Sequence, residues 1–175
     1  MSTSSDLRGD FAALHPALTR LQQIVALPAD VVEMRRPEVS GWSALEHVAH
    51  VSLANELIVR NLHSLSSNQG ALVQPTGEPV AGALEILERG VIPRGLAQSP
   101  RMVRPPTRID RALLAEWMAG AEAGFEHFAA QTELLERAPG RIPHQLLGPL
   151  TAAQWVRFAR IHTLHHLAIA DAALG

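Results

Sequence analysis

The stretch Trp155-Val156-Arg157-Phe158-Ala159-Arg160-Ile161-His162-Thr163-Leu164-His165-His166-Leu167-Ala168-Ile169 places three histidines within five residues of an otherwise apolar helical run. At about 100° per residue, Trp155, Phe158, Ala159, Ile169 and Ala173 make one apolar stripe, with His162 at its centre and His166 about 40° away. His165 lies towards the edge of that stripe, and Arg157, Arg160 and Leu164 point largely elsewhere. Side chains at i and i+4 stand over one another on a helix, so His162 and His166 can share a metal ion. Two imidazoles do not complete a site, and further ligands must come from another part of the chain.

A chain of 175 residues is expected to form one domain over 1–175 and to bury a real core. Apolar residues make up 47% and charged residues 18%, with much alanine and leucine, a composition that points to a mainly helical, folded protein. The lack of tyrosine and the scarcity of β-branched runs argue against a large sheet. The formal net charge is -2 and arginine is not clustered, so no electrostatic footprint for nucleic acid or an anionic membrane is present. Without cysteine there are no disulfides, thiolate nucleophiles or cysteine-ligated metals. No secretory leader pattern opens the chain and no apolar stretch reaches membrane-spanning length; the expected location is the cytoplasm.

Residues 1–5 read as a polar, frayed start. Residues 6–27 carry Leu7, Phe11, Leu14, Leu18, Leu21 and Val25 at helical spacing, with Pro16 as a kink or an alternative start. The second helix starts sharply: Ser43 followed by Glu46 fits a capping box, with Trp42 in the staple position before it. It runs from 44 to about 65, with Glu46, Ser52, Glu56, Arg60 and His63 near one side. His47, His50, Val51, Ala54, Leu57, Ile58, Asn61 and Leu62 lie on the other. Both His47 and His50 lean inward, about 60° apart on the wheel; His47 is slightly the more central, and the wheel leaves open which of them binds.

Residues 66–106 form a long crossover with a short helix at 80–89, ended by Gly90, and an irregular stretch at 93–106. That length exceeds the usual helix–helix turn and suffices to cover one end of a bundle. A third helix, capped by Thr107 or Asp110, is expected to run to about residue 137 with Leu113, Leu114, Trp117, Ala121, Phe128 and Leu135 on its apolar face. Gly124 on that side would allow a close helix contact. A linker with Pro143, His144, Gly148 and Pro149 then leads to a second capping box, Thr151 and Gln154. Four principal helices and one long crossover make an all-α four-helix bundle, an architecture that builds metal sites from histidines on facing helices.

Buried imidazoles without partners are costly, and a divalent metal is one solution, because neutral imidazole binds zinc, nickel, cobalt and iron well. Three protein ligands would leave positions open, as in a catalytic site. The bland alternative is a set of hydrogen-bonded core histidines. His15 and His127 read as surface or boundary residues, and Glu46 as a capping residue. No serine–histidine–acid arrangement is specified.

The segments Trp42-Ser43-Ala44-Leu45-Glu46-His47-Val48-Ala49-His50, His144-Gln145-Leu146-Leu147-Gly148-Pro149-Leu150-Thr151 and His162-Thr163-Leu164-His165-His166 together resemble the DinB-like (DinB/YfiT-like) superfamily of metalloenzymes. The resemblance implies an up-down-down-up four-helix bundle, often dimeric, with a three-histidine metal site. The family's ligand eight residues after the tryptophan falls on His50, and its last-helix pair on His162 and His166, leaving His47 as a supporting or cavity residue. This chain departs from the family in having Ala168 and Ile169 where glutamine usually follows the final pair. The implied activity is that of a divalent-metal-dependent enzyme acting on a small molecule, by hydrolysis or by S-transfer from a low-molecular-weight thiol such as bacillithiol, mycothiol or glutathione. Zinc or nickel is the expected ion, with manganese, iron or cobalt as further options, and a homodimer is the expected assembly. A non-catalytic metal-binding or stress-associated helical bundle is the alternative.

Overall fold

Each long helix begins on a side chain that accepts hydrogen bonds from its first turn, which satisfies donors the helix leaves open. In the computed structural model, which describes residues 6–95 and 98–175, Asp6 caps α1 (Leu7–Val25) and Asp110 caps α5 (Arg111–Ala129). Full capping boxes start α3 (Ala44–Ser67), from Ser43 and Glu46, and α7 (Ala152–Leu174), from Thr151 and Gln154. Both boxes stand as expected from sequence. Between these lie α2 (Ala29–Val32), α4 (Ala81–Arg89), a 3₁₀ turn at Arg101–Val103 and α6 (Thr132–Arg137). The expected frayed start at residues 1–5 lies outside the described residues, as do residues 96–97 of the crossover.

Ion pairs and packing contacts fix the helix directions. Asp10 near the start of α1 meets Arg157 and Arg160 near the start of α7, at 3.0 and 2.7 Å; Arg20 meets Asp171 near both their ends. These two helices are therefore parallel. His47 faces His166 and His50 faces His162, so α3 runs against α7. Along α5, Gly120 approaches Glu56 and Gly124 approaches Val59 of α3, and His127 lies beside His63; α3 and α5 run the same way. Arg111, first residue of α5, donates to the carbonyls of Val25 and Leu27 at the end of α1, so these two oppose. The order is up, down, down, up, with the crossover between α3 and α5, in agreement with the expected all-α four-helix bundle.

Leu14, Leu21, Ile24, Leu45, Ile58, Leu62, Leu114, Phe128 and Trp155 belong to one buried apolar cluster spanning all four long helices. Pro16 sits inside α1 without ending it. Among the described residues no helix is long and apolar enough to cross a membrane.

Several details differ from the sequence reading. The third helix stops at Ala129 and restarts at Thr132, with Gln131 off helical geometry at φ -129°, ψ 37°. Its buried stripe is Leu114, Met118, Ala121, Phe125 and Phe128, whereas Leu113 is exposed. Ser52, read as outward, is buried beside Leu18 and Leu21 of α1 and Met118 and Ala121 of α5; its hydroxyl donates to the Val48 carbonyl. The stretch read as a linker is a hairpin, β1 (Ile142–His144) paired antiparallel with β2 (Gly148–Leu150). Three-residue strands are too short to show alternation. The crossover is pinned to this hairpin: Gln74 and Arg141 exchange backbone hydrogen bonds, and the Val80 amide donates to the Leu147 carbonyl.

A methyl group on Gly124 would run into the Val59 side chain. Alanine is favoured over glycine in a helix by about 1 kcal/mol, but overpacking a tight contact costs about 1–3 kcal/mol. Gly124→Ala is therefore expected to lower the urea midpoint despite its better helix propensity. A raised midpoint would contradict the close α3–α5 approach.

Candidate metal centre

The α3 capping box fixes the first turn of that helix, and Trp42, just before it, packs on His47 one turn in, with ring centroids 5.4 Å apart. This is a hydrophobic staple built on an aromatic pair. The same indole lies 5.2 Å from the His50 ring and 6.4 Å from His166, stacked on the latter. From the opposing helix, His162 and His166 enter one turn apart. The three rings of His50, His162 and His166 close a triangle with centroid separations of 4.9, 4.5 and 4.6 Å. One nitrogen from each lies within 4.8 Å of the others, a grouping able to hold a metal ion. His47 and His165 fall outside that grouping.

Hydrogen bonds fix which nitrogen is free. Nδ1 of His50 lies 2.8 Å from the carbonyl oxygen of Val103, which can only accept; Nδ1 therefore carries the hydrogen, and Nε2 presents a bare lone pair. Ser99 Oγ is a second, longer neighbour of that Nδ1, at 3.3 Å. Across the interface, His50 Nε2 faces His162 Nε2 at 3.1 Å. Without an ion, His162 must supply the hydrogen between them, which leaves its Nδ1 a buried atom with no partner among the described residues. Two nitrogens bound to one tetrahedral ion at about 2.0–2.1 Å would stand roughly 3.3 Å apart, close to the spacing here. A ligand imidazole whose second nitrogen donates to a backbone carbonyl is also the usual arrangement around a bound metal. The residues present fit a divalent ion.

Burial keeps these rings neutral. His162 is held well below its usual value, by burial first and then by repulsion from His50 and its histidine neighbours. The same causes lower His166. Burial lowers His50 against the opposing pull of the Val103 carbonyl, and lowers His47 to about 4. Neutral imidazole is the form that binds a metal.

The sequence-derived set His50, His162 and His166 is thus brought together. The wheel's slight edge for His47 in burial does not appear, since His47 and His50 are equally buried; of the two, only His50 falls in the metal-capable grouping. His165 is half-buried, with its ring 5.0 Å from that of His166. His144 sits in the hairpin, its Nδ1 accepting from the amides of Leu146 and Leu147 and its ring against Phe158; burial lowers it to about 4. His127 is exposed, as expected of a boundary residue. Glu46 is occupied by its capping box and by Arg35 at 2.6 Å. Val103, Ser99 and Ser40 were not singled out from sequence, and neither was the fully buried Asn55–Thr163 pair between α3 and α7. A carbonyl in an irregular loop has no sequence signature, but Asn55, five residues after His50, and Thr163, three before His166, could have been found on the helical wheel.

A second grouping, His15 with Glu122 and Glu126, lies on the surface of α1 and α5; Glu122 there already accepts from Gln22 at 2.7 Å. Its three side chains line, with Phe11, Leu18 and Phe125, a groove of about 350 Å³, which none of the triad residues lines.

A comparison with family models, curated proteins and solved structures finds no match for this chain. The fold and geometry define a helical bundle with a buried histidine cluster able to chelate a metal ion.

The lowered histidines link stability to pH. Between the unfolded value near 6.5 and about 4 for His47 and His144, the unfolded chain takes up protons that the folded chain refuses. Stability is therefore greatest above about pH 6.5 and falls as pH drops towards 4. Urea unfolding of metal-free protein should show a clearly lower midpoint at pH 5 than at pH 7; equal midpoints would contradict burial of these rings in their neutral form.

Proposed function

We propose that His50, His162 and His166 hold one divalent metal ion, zinc or nickel before manganese, iron or cobalt, and that the protein is a metal-dependent enzyme acting on a small molecule. The observation that carries the reading is the pair of Nε2 atoms facing at 3.1 Å, one of them backed by the Val103 carbonyl through its other nitrogen. Three nitrogen ligands leave coordination positions open. What a bound ion supplies there is Lewis acidity towards a water, a thiol or a substrate oxygen. The chain's own contribution is placement: Val103 holds the His50 ring, α7 sets His162 and His166 one turn apart, and Trp42 walls the cluster with an apolar face.

The motif-level resemblance to the DinB-like superfamily supports the same ligand set and suggests two reaction classes, hydrolysis and S-transfer from a low-molecular-weight thiol. In both, His50, His162 and His166 would hold the ion, which would supply Lewis acidity towards a water in the first and towards a thiol in the second. Fold likeness alone does not choose between them. A second reading, a metal-binding bundle without catalysis, is favoured by one observation: the groove of about 350 Å³ lies between α1 and α5, apart from the triad.

Tag-free protein titrated with zinc should bind one ion per chain at the triad, and His162→Ala should weaken that binding by at least about 100-fold, since a ligand is lost outright. Unchanged stoichiometric binding in His162→Ala would remove His162 from the site. The cobalt(II) form separates the two readings. A visible spectrum that shifts on adding a small thiol or azide indicates an open position and the enzyme; an unresponsive spectrum indicates a closed, structural ion.

A further inference from the structure

His47 is buried one turn before Val51 and outside the metal-capable grouping, yet both its ring nitrogens are engaged. Its Nδ1 lies 3.0 Å from Nδ1 of His166, and its Nε2 lies 2.9 Å from Oγ of Ser40. Ser40 Oγ in turn accepts from the backbone amide of Trp42 at 3.1 Å. Each of the two imidazoles is neutral and carries one hydrogen, so a single hydrogen occupies the contact between the two Nδ1 atoms. Two tautomeric arrangements satisfy it. In one, His47 donates through Nδ1; His166 then holds its own hydrogen on Nε2, and neither of its nitrogens is free for a metal. In the other, His166 donates through Nδ1, its Nε2 keeps a bare lone pair, and His47 donates its own Nε2–H to Ser40 Oγ. The proton count is the same in both; only the nitrogens that carry the hydrogens differ.

We infer that His47 is a positioning residue for the metal centre: its Nδ1 accepts the Nδ1–H of His166, locking His166 into the tautomer that offers Nε2 to the ion, with Ser40 closing the relay. Partners of this kind set the orientation and basicity of ligand histidines, and their loss typically weakens metal affinity about 10–100-fold. The site therefore has two supported ligands, each held from a different part of the chain. Val103 of the crossover orients His50, and His47, through Ser40 before the α3 cap, orients His166. The inference rests on the metal reading above.

Asparagine and leucine are close to isosteric, and the Asn Oδ1 occupies nearly the position of His Nδ1. His47→Asn keeps an acceptor for His166, and His47→Leu does not. In zinc titrations His47→Asn should bind within about threefold of the unaltered protein, whereas His47→Leu should lose about 10–100-fold. Long-range ¹H–¹⁵N spectra of the zinc-loaded unaltered protein, labelled at histidine, should place a hydrogen on Nδ1 of His166 and none on Nδ1 of His47. Equal zinc affinity in His47→Leu and the unaltered protein overturns the inference. So does a hydrogen on His47 Nδ1, an outcome read from the unaltered protein even if the leucine variant does not fold. If the unaltered protein binds no zinc, the metal reading itself fails, which is a separate result.

Discussion

Two neutral imidazoles that face each other at 3.1 Å across the α3–α7 interface set the constraint on which the rest of the structure depends. Neither ring can be charged at that depth without a heavy desolvation cost, and with only one hydrogen between them the geometry is tight. Several independent elements are needed to hold it. The Ser43 and Thr151 capping boxes start the two helices, and antiparallel packing brings the first turns of α3 against the last half of α7. The 3₁₀ turn in the crossover delivers the Val103 carbonyl to the back of His50. Remove that carbonyl and the tautomer of His50 is no longer fixed.

A second constraint lies on the far side of α7. Asp10 of α1 is buried and takes both Arg157 and Arg160, while Arg157 also donates to the Leu87 carbonyl at the end of α4. A buried carboxylate shared between two guanidiniums resists rotation of the helix that carries them, because rotation would break both contacts and leave the buried charge unpaired. That anchor fixes the rotation of α7 and so turns His162 and Thr163 towards α3, where Thr163 meets Asn55. The polar contacts on the two sides of α7 thus specify one register, which apolar packing alone would leave freer.

Much of this was legible in the sequence, because the signals are local and periodic. The capping boxes, the three-and-four spacing of Leu7 to Val25, and the inward placement of His162 and His166 all follow from helical geometry. The break at Gln131 and the 142–150 hairpin did not show, since neither carries a periodic pattern long enough to register. The choice between His47 and His50 was beyond the wheel for a physical reason. Both rings are buried, about 60° apart, and what separates them is the neighbour each meets: His50 meets His162, and His47 meets the far nitrogen of His166. The carbonyl of Val103 and the hydroxyl of Ser40 are supplied by irregular segments, whose positions depend on tertiary packing.

The proposed divalent ion sits between α3 and α7, on His50, His162 and His166. Anomalous diffraction from zinc-soaked crystals of the full chain, collected at the zinc absorption edge, tests this most directly. One strong peak is predicted at about 2.0–2.1 Å from Nε2 of both His50 and His162, with Nε2 of His166 as the third ligand. No peak between those rings, or a peak confined to His15, Glu122 and Glu126, would contradict it.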